Sequence, residues 1–117
     1  MQISEKEALG KLSDSKQLFL ELFTHGTLSI EVYKPKKEDL QKPHEKDEIY
    51  LIISGEGDFY SDGKTVKFQK GDFLFVPAGV EHRFENFSED FSTWVIFYGP
   101  KGGEQNYSSS INSIISP

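Results

Sequence analysis

Apolar residues in this chain recur mostly at every second position, the period of β-strands rather than of helices. Leu28, Ile30 and Val32 alternate with Ser29 and Glu31, which predicts a half-buried strand over 28–33. Gln17 to Thr24 reads as a strand before it, with His25-Gly26 as the turn between them. Glu48 to Ser54 is a nearly continuous apolar run closed by Gly55, the pattern of a buried strand. Asp58 to Tyr60 and Lys64 to Phe68 flank Ser61-Asp62-Gly63, an Asp-Gly signal for a hairpin with a type I′ turn. Phe73 to Val76, His82 to Phe84 and Thr93 to Tyr98 complete the set. Pro77-Ala78-Gly79 interrupts the ladder and Gly99-Pro100 ends it.

One short segment departs from this period. Ser4-Glu5-Lys6-Glu7 has the form of a capping box, predicting a helix over about residues 4–12, with Gly10 weakening it. Short strands with turn signals every 8–12 residues describe an all-β jelly-roll barrel, here over about residues 17–99. The tail, 101–117, is rich in Ser, Gly and Asn, with Ile111, Ile114 and Ile115 as its apolar content. It is expected to pack on the outer surface or on a neighbouring subunit.

At 117 residues the chain suits one domain spanning 1–117. Its 10 phenylalanines fit an aromatic β core. The net charge of −6 repels phosphate backbones, so no nucleic-acid partner is expected. Lys34, Lys36 and Lys37 are offset by Glu38 and Asp39, which reads as a solvated loop. The absence of cysteine excludes disulfides and thiolate metal sites and fits a reducing compartment. Met1 to Gly10 lacks the apolar stretch of a signal peptide, and no run of about 18 apolar residues exists, so no membrane association and a cytoplasmic location are expected. The Asn-x-Ser sequons at Asn86 and Asn106 are then chance matches.

Two runs carry candidate chemistry. In His44-Glu45-Lys46-Asp47-Glu48, an even spacing lets His44 and Glu48 share a strand face that Tyr50 and Ile52 continue. An imidazole and a carboxylate so placed make two ligands for a first-row divalent metal; the alternative is a loop histidine and a surface carboxylate. In the second run His82 alternates with Val80 and Phe84, placing it on an apolar face. A buried imidazole needs a partner, and a metal is one. The alternative there is a surface histidine between Glu81 and Arg83. His25, before Gly26, reads as exposed, and as a spare acid–base group if it nears the mouth. Arg83 alternates away from His82, and Asn86 reads as a turn residue behind it.

The two runs resemble the paired motifs of the cupin superfamily, small jelly-roll barrels that hold a metal in the barrel mouth. Gly71, Pro77, Gly79, His82 and Asn86 match the second motif at every position and spacing. His44, Glu48 and Gly55 match the second His, the Glu and the closing Gly of the first, but Lys42 stands where its first His belongs. The resemblance covers about Leu28 to Tyr98 and implies a site of His44, Glu48 and His82. That set is a facial two-His, one-carboxylate arrangement for iron, manganese, nickel or zinc. Gln41 is a weak further oxygen ligand; the alternative is that Lys42, a cation in a ligand's place, keeps a metal from binding tightly, and Lys42 itself either meets an anionic substrate or lies in solvent. The cavity wall is expected from Lys42, Tyr50, Phe73, Phe75, Phe84, Trp94, Ile96 and Tyr98, each of which also reads as plain core.

The function implied is metal-dependent chemistry on a small organic molecule, dioxygenase-like or of isomerase or lyase type. The alternative is a non-catalytic module that binds or senses a small ligand. The resemblance also implies a homodimer, in which a second subunit covers an open sheet edge.

Overall fold

In the computed structural model, residues 1–105 are described. The elements run α1 (Glu5–Ser15), β1 (Phe19–His25), β2 (Leu28–Tyr33), β3 (Asp47–Ser54), β4 (Glu56–Ser61), β5 (Lys64–Gln69), β6 (Phe73–Val76), β7 (His82–Glu85) and β8 (Ser92–Tyr98). The strands form two antiparallel sheets, a large one in the order β1-β2-β8-β3-β6 and a small one in the order β5-β4-β7. This is the jelly roll expected from the alternation. Asp62 and Gly63 both have positive φ, as the type I′ tip of the β4–β5 hairpin requires. The expected tail contacts of Ile111, Ile114 and Ile115 lie outside the described residues. No helix among the described residues is long and apolar enough to cross a membrane.

Helix α1 starts where the capping box places it, with the Ser4 hydroxyl accepting from the Glu7 N–H at 3.0 Å. It runs through Gly10 to Ser15, past the expected end at 12, and stops at Lys16 in the left-handed conformation. Ala8 and Leu12 explain the extension. Both are buried against Val32 and Ile53, with Leu20, Leu22 and Trp94 alongside, so packing offsets the glycine.

That contact means the large sheet is covered on its inner face and, in part, on its outer one. Its outer face meets α1; its inner face meets the small sheet across an aromatic core of Tyr33, Tyr50, Phe59, Phe68, Phe84 and Phe91. Strand parity settles which residue faces where. On β3, Glu48, Tyr50 and Ile52 point inward, opposite Phe97, Val95 and Thr93 of β8. Leu51 and Trp94 pair on the outer face, and Ile49 and Ile96 likewise.

Several expected cavity-wall residues are therefore misplaced. Trp94, Ile96 and Tyr98 share the outer parity of β8, the face α1 partly covers. Phe73 and Phe75 pair with Leu51 and Ile49, and stand 60% and 45% exposed on edge strand β6. The inward positions of that strand are Leu74 and Val76. Apolar alternation identifies a covered face, and a sheet covered twice has two.

Candidate metal centre

The residues that converge come from both sheets and one loop. Glu48 is the second residue of β3 in the large sheet, and His82 opens β7 in the small one. His44 lies before β3, so strand periodicity is not what aims it. The loop is held instead by the Pro77-Ala78-Gly79 turn. The Gly79 N–H donates to the His44 carbonyl at 2.7 Å, and the Ala78 N–H donates to Asp47 Oδ1 at 2.9 Å. One turn thus fixes His44 and the residue before Glu48 while delivering the chain to His82.

Ligand atoms of His44, Glu48 and His82 all lie within 4.8 Å of one another, the one such cluster among the described residues. His82 Nε2 is 3.0 Å from Glu48 Oε1, and His44 Nε2 is 3.8 Å from the same oxygen. The side chains of His82 and Glu48 are 0% and 1% exposed, whereas that of His44 is 32% exposed, so the cluster opens on the His44 side. Both Glu48 oxygens are buried without a hydrogen bond among the described residues, and the nearest charge partner is His82 Nε2, 3.0 Å from Oε1. A buried carboxylate in that condition is costly, and a cation between it and two imidazoles would satisfy it.

Electrostatics prepare the imidazoles differently. His82 Nδ1 lies 2.9 Å from the Val80 carbonyl, an acceptor, so Nδ1 carries a proton and Nε2 is the nitrogen aimed at Glu48. Burial alone would lower the His82 pKa, but the Glu48 carboxylate and the Val80 carbonyl outweigh it and raise the value. The His44 pKa is lowered, chiefly by burial, which keeps it neutral as a ligand must be. Tyr50, fully buried, has its pKa pushed well up by burial and then by Glu48. Its hydroxyl donates to Gln41 Oε1 at 3.0 Å and lies 3.1 Å from His82 Nε2.

The open side leads into a cavity of about 260 Å³ between β1, β2, β8 and the His44 loop. Phe19, Glu31, Tyr33, Gln41, Val95 and Phe97 line it, together with His44. Of the expected wall residues, Tyr50 and Phe84 are in the barrel core behind the cluster, while Lys42 is exposed on the loop. His25 is exposed at the β1–β2 turn, as read from its glycine neighbour. Asn86 has positive φ and donates to Asp58 at 3.0 Å, the turn role expected of it.

Sequence reasoning missed Glu31 and Asp39. Glu31 sits on the polar parity of β2, which faces inward; its pKa is raised to about 7 by burial, then by Glu21 and Glu48. Asp39, read as part of a solvated loop, is buried and accepts from the Tyr33 hydroxyl, the Gln41 amide and the Phe84 N–H. No periodic signal marks Asp39; proximity to the ligand run was the available hint. A broader concavity of about 680 Å³ at Asp58, Lys67, Asp72 and Asn86 holds no metal-ligand cluster among the described residues.

Comparison with known proteins gives the same frame. The family model described as Cupin domain matches residues 29–98. An uncharacterized protein of Streptomyces coelicolor is 33% identical over 85 residues, covering 71% of this chain and 81% of that one. An oxalate-binding protein of Thermotoga maritima is 43% identical over 47 residues, 40% of this chain and 39% of that one. Among solved structures, a cupin-2 domain containing protein of Shewanella frigidimarina superposes with a TM-score of 0.62 at 19% identity, covering 78% and 91% of the two chains. A protein of Neisseria meningitidis superposes at 0.66 and 20% identity, covering 85% and 100%.

Proposed function

The chain belongs to the cupin domain family, and on that premise we propose that it is a metal-dependent enzyme acting on a small organic molecule. His44, Glu48 and His82 hold the ion. The observation that carries this reading is the convergence of the buried Glu48 carboxylate and two imidazoles, their ligand atoms within 4.8 Å of one another. A divalent first-row ion bound there would supply Lewis-acid polarisation of a substrate oxygen and, if iron, dioxygen chemistry.

The protein's own groups define the remaining tasks. The Val80 carbonyl holds the Nδ1 proton of His82, so Nε2 is the nitrogen that would bind an ion, giving up its contact with Glu48. Phe19, Tyr33, Val95 and Phe97 enclose an apolar body, and Glu31, paired with Val95 across β2 and β8, offers a hydrogen-bond acceptor or proton site among them. A cavity of about 260 Å³ is near the lower limit of roughly 300 Å³ for ligand pockets. The substrate is therefore small, on the scale of a single ring. Oxygenation, isomerisation and lyase chemistry all remain open to such a site, since fold does not select among them.

A second reading has one specific observation in its favour, the match to an oxalate-binding protein. In that reading the pocket holds a small ligand without turning it over. Glu31 and Glu48, both facing the interior, argue against a dianion unless a cation offsets them. The test is purification from metal-replete medium followed by elemental analysis and oxygen uptake with small oxygenated substrates. Bound iron or manganese with substrate-dependent uptake supports an oxygenase. Turnover without oxygen demand points to isomerase or lyase chemistry, and tight ligand retention without turnover to the binding module. His82→Ala is expected to lose the metal and His25→Ala to keep it; equal metal in both variants would contradict the ligand assignment.

A further inference from the structure

The motif spacing puts a fourth ligand at position 42, yet Lys42 is exposed. The residue turned toward the cluster is its neighbour. Gln41 Oε1 lies 3.1 Å from His44 Nε2 and 3.0 Å from the Tyr50 hydroxyl. That hydroxyl is 3.1 Å from His82 Nε2, which is 3.0 Å from Glu48 Oε1, and the circuit closes through the 3.8 Å separation from Glu48 back to His44. Five polar atoms thus ring one small space.

The amide is not free to choose which end it presents. Gln41 Nε2 donates to Asp39 Oδ2 at 2.8 Å. Asp39 is buried and already accepts from the Tyr33 hydroxyl at 2.6 Å and the Phe84 N–H at 2.9 Å, so it takes the NH₂ end. The oxygen is left aimed at the ring. There His44 Nε2–H and Tyr50 O–H both donate to it. Replacing the His44 proton by a cation would serve the lone pairs of both His44 Nε2 and Gln41 Oε1. Their 3.1 Å separation also suits the purpose. Two ligands at right angles on one ion, each bonded at about 2.1 Å, stand about 3.0 Å apart.

Resting on the metal-centre reading above, we propose that Gln41 is the fourth protein ligand of the ion through Oε1, in place of the histidine the motif lacks at 42, with Asp39 holding its amide in register. The site is then two imidazole nitrogens, a carboxylate oxygen and an amide oxygen. Two hard oxygen donors favour Mn²⁺ or Fe²⁺ over thiophilic or square-planar ions.

The test titrates Mn²⁺ and Co²⁺ into metal-free full-length protein and its variants, reading affinity by chelator competition and the ligand set by the visible spectrum of bound Co²⁺. Gln41→Ala is expected to bind at least about tenfold more weakly and to change the Co²⁺ spectrum. Loss of an outer-sphere contact alone costs a similar 10- to 100-fold, so the spectrum separates ligation from support. Gln41→His is expected to recover tight binding, with its own altered spectrum. Lys42→His should leave affinity and spectrum as in the unaltered protein. A Gln41→Ala variant with unchanged spectrum and affinity, alongside a His82→Ala variant that loses the ion, overturns this inference and leaves the metal centre standing. So does tightening by Lys42→His with none by Gln41→His. Failure of the unaltered protein to bind either ion overturns both readings.

Discussion

Glu31 lies among polar alternates on β2, yet it faces a cavity rather than water, and its titration exposes that placement. Burial, Glu21 and Glu48 raise its pKa to about 7 from the model-peptide 4.5. Between those values the folded metal-free chain keeps a proton that the unfolded chain has released. Stability linked to Glu31 is therefore full below pH 4.5 and is lost as pH rises toward 7. Glu31→Gln removes the titration. Thermal melts of metal-free protein should show the variant gaining on the parent as pH rises through that window; parallel melting curves would contradict the assignment. The same scale shows what could be read from residues alone. His44, Glu48 and His82 were legible because motif spacing survives in the chain, and the structure gathers all three within 4.8 Å. Asp39 sits in a loop without periodicity, and only the folded backbone reveals that it turns inward, where it holds the amide of Gln41, the residue read from the sequence as a weak oxygen ligand.

Among the elements, strands were more legible than the faces they present. β2 and β6 begin and end where the alternation puts them, because Gly and Pro punctuate their ends. Which parity points inward was not legible on β6 and β8, because both sheet faces are apolar once α1 packs on the outside. A closer weighing of α1 would have warned of this: Ala8 and Leu12 need an apolar surface to lie on, and an outer sheet face supplies it. The glycine between β3 and β4 is a sharper case. Gly55 has φ +90°, and a Cβ there would stand 2.5 Å from Phe91 Cα and 2.8 Å from its nitrogen. The close approach of the 88–91 turn to β4 thus requires the glycine that closes the first motif. Gly55→Ala is expected to cost roughly 2–4 kcal/mol through combined clash and backbone strain, measurable by urea denaturation. A cost under about 0.5 kcal/mol, the range of ordinary surface changes, would show that the turn yields easily.

For the whole molecule, the barrel works as a clamp between sheets: the large sheet brings Glu48, the small sheet brings His82, and a loop tied to the Pro77–Gly79 turn brings His44. An ion held there would join the two layers and is expected to raise the melting temperature by mass action. The outer side of the large sheet leaves Leu51 exposed together with Phe73 and Phe75 of β6, an edge strand with no outer neighbour among the described residues. We propose that a second copy of the chain covers this edge, giving the homodimer expected from the family resemblance. Light scattering should return twice the chain mass for the unaltered protein and the chain mass for a Phe73→Lys, Phe75→Lys double variant. A monomer at both would remove the proposal without touching the metal centre.

The central claim is a single ion shared by residues of both sheets, and anomalous scattering from crystals grown with Mn²⁺ tests it most directly. The expected result is one manganese peak per chain, within bonding distance of Nε2 of His44 and His82 and of the Glu48 carboxylate. Crystals of the same protein with no peak there, and Glu48 paired only with a protonated His82, would contradict it.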